Sequence, residues 1–278
     1  SWLLLSAATG RAEDIDLFKG GGAQDPSPPN VLIFLDNTSN WSANNQAWSK
    51  TSVDAKCNAL AATEKATCLN YSSQIFLGAP NLTQGQVQLR ALKLVLNELV
   101  CTTGAGALRV NVGLSLMGQQ STLSNGHGVG IINFAIRPLT GTATTVGSSC
   151  KAIIDQLDTI DAKIQNPEYK APSSANYGAA LYEIFKYFGG HSNPALAGNP
   201  DPNGGSPVGA TGYGPIRYSK PNVLDDAAAF KDAAKTTYQS PITPASACGG
   251  NYVVLVGNTY PNFEPSNGDP TVFKGIGY

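Results

Sequence analysis

The spacing of apolar residues changes from segment to segment along this chain, and each change marks an element. Val31-Leu32-Ile33-Phe34-Leu35 is an unbroken apolar run with two β-branched members, closed by Asp36 and by hydroxyls and amides through Asn40. Such a run predicts a strand buried on both faces. Asn251 to Val256 repeats the pattern and ends in Gly257-Asn258-Thr259. Leu108 to Met117 instead alternates apolar with polar or small residues, a strand with one protected face. Val129 to Arg137 reads as another strand, and the helix-free turn over 119–128 makes these two antiparallel neighbours.

Helical spacing appears in four places. Thr83 caps a helix running to Cys101, with Val87, Ala91, Leu92, Val95 and Leu99 along one face, and Gly104 and Gly106 end it. Cys150 to Ile164 carries Ile153, Ile154, Leu157, Ile160 and Ile164; Ser174 to Phe188 carries Tyr177, Leu181, Ile184, Phe185 and Phe188. Asp225 to Thr237 predicts a short amphipathic helix. Residues 37–83 hold no sustained period, although Cys57 and Cys68 enclose an Ala-rich helical patch, and residues 189–222 are dense in Gly, Pro and Asn. Both segments read as insertions. The order strand, helix, strand, strand, helix, helix, strand predicts one three-layer α/β domain over 28–278, its sheet mostly parallel with one antiparallel edge strand.

Composition narrows the class. Of 278 residues, 13% are charged and the net charge is −1, which gives no field to steer the chain toward nucleic acid or anionic lipid. The first dozen residues, Ser1-Trp2-Leu3-Leu4-Leu5 through Gly10-Arg11-Ala12, read as the tail of a signal peptide, and 13–27 as a linker; the mature chain then has no transmembrane segment. Export makes disulfides permissible. Of the five cysteines, Cys57 and Cys68 would close a loop of about a dozen residues, worth roughly 3 kcal/mol by chain entropy. Cys101 ends one helix and Cys150 opens the next, so they are candidates for a second bridge; Cys248 would be left over, and other pairings remain open.

In an open parallel sheet, ligands bind at loops leaving the carboxyl ends of the strands. Asp36, Thr38 and Asn40 stand at such an end, where oxygen ligands for a hard cation can converge. The layout resembles the metal-ion-dependent adhesion motif of von Willebrand factor A domains, Asp-x-Ser-x-Ser. The chain is more specifically similar to the N-terminal domain of PilY-type tip adhesins of type IV pili. The segments that carry this are Glu13-Asp14-Ile15-Asp16-Leu17-Phe18, Pro29-Asn30-Val31 leading to Leu35-Asp36-Asn37, Gly178-Ala179-Ala180-Leu181-Tyr182-Glu183, and Tyr238-Gln239-Ser240-Pro241-Ile242 before Cys248 and Asn251-Tyr252-Val253-Val254-Leu255. The resemblance implies a von Willebrand factor A-like (Rossmann-like) fold and export to the cell surface, pilus tip or outer membrane of a Gram-negative bacterium. It also implies contact with minor pilins, attachment to a host or abiotic surface ligand, and a β-propeller following this domain.

The same resemblance implies Mg²⁺ or Ca²⁺ held by Asp36, Thr38, Asn40, Ser174 and Asn258. Thr38, Asn40 and Asn258 depart from the pattern, and at 258 an amide replaces a carboxylate. With Asp36 the only carboxylate, attraction for the cation is weaker than in the intact motif. In the alternative, Asp36 hydrogen-bonds the backbone of neighbouring loops and shapes the end of the sheet. Trp41 and Trp48 either bind a sugar or flat partner, as surface Trp among amides does, or anchor the insertion.

Enzyme signatures are weak. His127 and His191 read as solvated loop residues without metal-spaced partners. Ser148-Ser149-Cys150-Lys151 matches a Ser-x-x-Lys motif without its companion motifs, and Lys151 should face solvent. Asp155/Asp158 and Asp225/Asp226 read as exposed helix charges. The expectation is a non-enzymatic adhesin; the alternative is a secreted carbohydrate- or ligand-binding α/β module unrelated to pili.

Overall fold

The apolar run Val31–Leu35 forms the chain's central strand, and the other layers build outward from it. In the computed structural model, which describes residues 27–38, 40–103, 107–119, 128–169, 177–191, 224–243 and 250–258, the elements in chain order are as follows. First come β1 (Asn30–Leu35), β2 (Trp48–Ser49), α1 (Lys50–Asn58), α2 (Ala62–Ile75), β3 (Asn81–Leu82) and α3 (Gln84–Leu99). They are followed by β4 (Asn111–Gln119), β5 (Gly128–Pro138), α4 (Ser149–Ala162), α5 (Tyr177–Gly189) and β6 (Asn251–Val256).

The main sheet has the order β5-β4-β1-β6. β1 pairs in parallel with β4, Ile33 opposite Leu114, and with β6, Ile33 opposite Val254. β4 and β5 are antiparallel, so the sheet is mostly parallel with the expected antiparallel edge. Alternation along β1 divides the core. Ile33 and Leu35 pack with Leu89 and Leu96 of α3 and with Ile153, Ile154, Leu157 and Ile160 of α4. Leu32 and Phe34 pack with Tyr177, Ala180, Ile184 and Tyr187 of α5. Helices on both faces of a sheet make a three-layer α/β architecture. The close approach of α5 requires Gly130 in β5, where a Cβ would lie 2.8 Å from the Ala180 carbonyl oxygen.

The expected caps and bridges form. Thr83 and Gln86 make a reciprocal capping box at the start of α3. Cys57 bonds Cys68, pinning α1 to α2, and Cys101 bonds Cys150. The second bridge closes one end of the antiparallel pair α3 and α4, along which Lys93 meets Asp158 at 2.6 Å and Arg90 meets Asp161 at 2.9 Å. Lys151, in the first turn of α4, bonds exposed Asp155 one turn further on at 2.7 Å. Three asparagines in register tie the amino ends of the parallel strands: Asn111 Nδ2 donates to Asn30 Oδ1 at 2.9 Å, and Asn30 Nδ2 to Asn251 Oδ1 at 2.8 Å.

Several expectations are corrected. The helix expected over Asp225 to Thr237 is a short 3-10 turn, Ala227–Ala229, followed by an antiparallel bridge between Phe230 and Tyr238. Carboxylates compete with helical bonding there. Asp226 accepts the N–H groups of Ala228 and Ala135 and pairs with Arg137, so it is not an exposed helix charge. Asp232 accepts the N–H groups of Thr236 and Thr237. Tyr238 donates its hydroxyl to buried Glu183, which also pairs with buried Lys186 at 2.8 Å, fixing this segment against α5. The segment 37–83 is more regular than its sequence period indicates: α1 and α2 form although neither has a continuous apolar face, with the disulfide joining α1 to α2 and α2 packing on α3. β6, as apolar as β1, is not buried on both faces; Val253, Val254 and Leu255 are 40–46% exposed. Its only sheet neighbour among the described residues is β1. His191 is exposed and lies against Phe185. The 192–223 stretch, His127 and Cys248 lie outside the described residues.

Candidate functional site

β1 and β6 run in the same direction, so their carboxyl ends reach one rim of the sheet together. Asp36, the first residue beyond β1, continues the pairing by donating its N–H to the Val256 carbonyl at 3.0 Å. Its side chain is buried beneath the rim. Asp36 Oδ1 accepts the Thr38 N–H at 3.1 Å and the Thr38 hydroxyl at 2.5 Å. Asp36 Oδ2 accepts the Tyr177 hydroxyl at 2.5 Å and the Asn258 N–H at 3.1 Å. Asn258 Nδ2 also donates to the Thr38 carbonyl at 2.5 Å. One carboxylate therefore ties together the loop after β1, the loop after β6 and the first residue of α5.

The electrostatics follow from those bonds. Burial by itself raises the carboxyl's pKa; the Thr38 and Tyr177 hydroxyls and the N–H groups of Thr38 and Asn258 outweigh it and hold Asp36 below its ordinary 3.8. The carboxylate is thus charged at neutral pH and compensated by proton donors.

Asn37 supplies a second tie. Its Nδ2 donates to the Tyr169 carbonyl at 2.7 Å and its Oδ1 accepts the Met117 N–H at 2.8 Å, joining the rim loop to the end of β4 and to the chain beyond α4. Asn40 lies in the following turn, half-buried, where its carbonyl accepts the Ala43 N–H at 2.9 Å. Ser174 lies outside the described residues.

Trp41 is not a docking ring. It is fully buried in the core, donates Nε1–H to Gln88 Oε1 at 2.7 Å, and lies on Gly85, where a Cβ would sit 2.5 Å from the indole. It anchors the insertion, the alternative role. Trp48, on β2, is 47% exposed.

Among the described residues, Asp36, Thr38 and Asn258 are not arranged to hold Mg²⁺ or Ca²⁺ as the resemblance implies. A hard cation needs about six oxygen lone pairs facing one point. Here both Asp36 oxygens already receive two protons each, and Asn258 turns its NH₂ toward the Thr38 carbonyl. Asn258 Oδ1, buried and without a hydrogen-bond partner among the described residues, is a single neutral acceptor. Among the described residues no group of three or more His, Cys, Asp or Glu side chains could hold a metal ion.

Sequence reasoning brought Asp36, Thr38 and Asn258 together correctly but missed Asn37 and Tyr177. A tyrosine on the buried face of an apolar helix needs a partner for its hydroxyl, and that was the available signal. Nothing local pointed to Asn37. Comparison of the chain with protein-family models, with curated proteins and with solved structures finds no match. What fold and site define is an α/β domain with a mostly parallel sheet and a tied rim at its carboxyl edge. Two disulfides form, and no helix among the described residues is long and apolar enough to cross a membrane.

Proposed function

We propose that this chain is the N-terminal, von Willebrand factor A-like domain of a PilY-type tip adhesin, a non-enzymatic protein exported to the surface of a Gram-negative bacterium. In this reading its rim binds minor pilins of a type IV pilus or a host or abiotic surface ligand. One observation supports the proposal: Asn258 N–H reaches Asp36 Oδ2 at 3.1 Å, so the two apolar strands end side by side and their loops meet at one rim. The sheet order, with its antiparallel edge strand next to β4, supports the same reading. The two disulfides suit an oxidising compartment.

The alternative, a sugar- or ligand-binding module whose Trp-bearing insertion is the site, retains exposed Trp48 but loses Trp41 to the core. The rim is the better-built site. Pull-down of purified minor pilins by the immobilised chain tests the proposal, with Asp36→Ala checked for folding by circular dichroism. Capture of a minor pilin by wild type, reduced at least tenfold in folded Asp36→Ala, is expected. Absence of capture at micromolar pilin sinks the adhesin reading.

A further inference from the structure

We infer that proton donors stand in this domain where an adhesion motif uses a divalent cation, so that its rim is assembled, and recognises partners, without metal. The atoms that face Asp36 carry this inference, which rests on the proposed function and deepens it without needing the partner's identity.

A cation at such a rim would neutralise carboxylates and hold loops together through oxygen lone pairs. Both tasks are done here by hydrogens. Thr38 gives Asp36 two, Tyr177 one and Asn258 one, and all four donors come from different positions around the two carboxylate oxygens. A carboxylate is an acceptor at about four lone-pair positions, so this set fills it. The donors are also fixed in place. Tyr177 is 1% exposed, and its ring meets Phe34 edge-on at 6.2 Å between centroids, which aims the hydroxyl at Asp36 from the layer below. Asn258 is held from two sides, by its N–H on Asp36 and its Nδ2 on the Thr38 carbonyl.

The identity of residue 258 is the discriminating feature. Asparagine donates to the Thr38 carbonyl; an aspartate there would set a second charge beside Asp36 and an acceptor against that carbonyl, a geometry that only a cation or a proton could relieve. The departures from the adhesion motif are therefore consistent with one another: amide for carboxylate at 258, and a tyrosine hydroxyl closing the remaining side.

The test is thermal unfolding and isothermal titration of the full chain in chelator, and then in millimolar Mg²⁺, Ca²⁺ or Mn²⁺. Wild type is expected to give no saturable heat and a Tm that the ions leave within about 1 °C. Asn258→Asp in chelator at neutral pH is expected to melt roughly 5 °C lower, and Tyr177→Phe, which only removes the hydroxyl, roughly 3–5 °C lower. A saturable Tm rise or binding heat with wild type overturns the inference, as does an Asn258→Asp protein that melts at or above wild type in chelator. Should Asn258→Asp not fold, the wild-type titration and Tyr177→Phe still decide. Failure of the two proposals is distinguishable: minor-pilin capture lost only in chelator overturns metal independence and leaves the adhesin reading standing. A metal-blind Tm with no pilin capture does the reverse.

Discussion

At the residue scale, the molecule depends on a buried charge that is kept because its surroundings donate to it. A carboxylate wholly removed from water is expensive unless every lone pair finds a hydrogen, and charge-assisted bonds contribute about 1.5–3 kcal/mol each when removed singly. Asp36→Asn keeps the shape but points an NH₂ at the Tyr177 hydroxyl or the Asn258 N–H, and should lose roughly 3 kcal/mol at neutral pH. The pH dependence has a definite sign. Because folding lowers the Asp36 pKa from its ordinary 3.8, its contribution is complete above that value and is lost as pH falls through the lower, folded value. Urea midpoints measured from pH 7 down to pH 3 should therefore fall less steeply at the acid end for Asp36→Asn than for wild type. Parallel acid limbs would show that the carboxylate is not stabilised as described.

At the scale of elements, two strands with the same apolar pattern behave differently. β1 has β4 on one side, β6 on the other and helices above and below, and Leu32, Phe34 and Leu35 are completely buried. β6 has a sheet neighbour on one side among the described residues, and Val254 is 46% exposed. Truncation should register that difference. Phe34→Ala leaves a cavity against Tyr177 and should cost about 3–5 kcal/mol, whereas Val254→Ala should cost under about 1.5 kcal/mol because much of its side chain already faces solvent. Equal losses in denaturant titrations would mean that β6 is covered as completely as β1. The 225–237 stretch makes the complementary point. Its apolar spacing suited a helix, but Asp226 and Asp232 bind backbone N–H groups in the shape of turns, and those local bonds prevailed.

At the scale of the whole molecule, the helices on one face of the sheet are joined covalently as well as by packing. The Cys101–Cys150 bridge closes a sequence separation of 49 residues and the Cys57–Cys68 bridge one of 11. Chain entropy assigns about 4 kcal/mol to the longer loop and about 3 kcal/mol to the shorter. The double replacement Cys101→Ser/Cys150→Ser should thus lower the denaturation midpoint more than Cys57→Ser/Cys68→Ser, which staples only the α1–α2 pair. The reverse order in equilibrium unfolding would contradict this account of what each bridge constrains.

Period and boundary chemistry in the sequence were enough to place β1 and β6, the helices α3, α4 and α5, the Thr83 cap and the antiparallel edge strand, and the resemblance to the adhesion motif set Asp36 and Asn258 at one rim. Those features depend on neighbours a few residues apart, or on the rule that parallel strands present their carboxyl ends together. The tertiary structure alone decided what surrounds Asp36. Tyr177 lies 141 positions away, and no local pattern says which hydroxyl will face a given carboxylate. It also decided that Trp41 enters the core, and that two equally apolar strands differ in burial. Periodicity marks where an element runs, but which residues turn inward (Leu89 and Leu96 of α3, while Val95 and Leu99 of the expected face are exposed) and how many neighbours cover them are properties of the assembled layers.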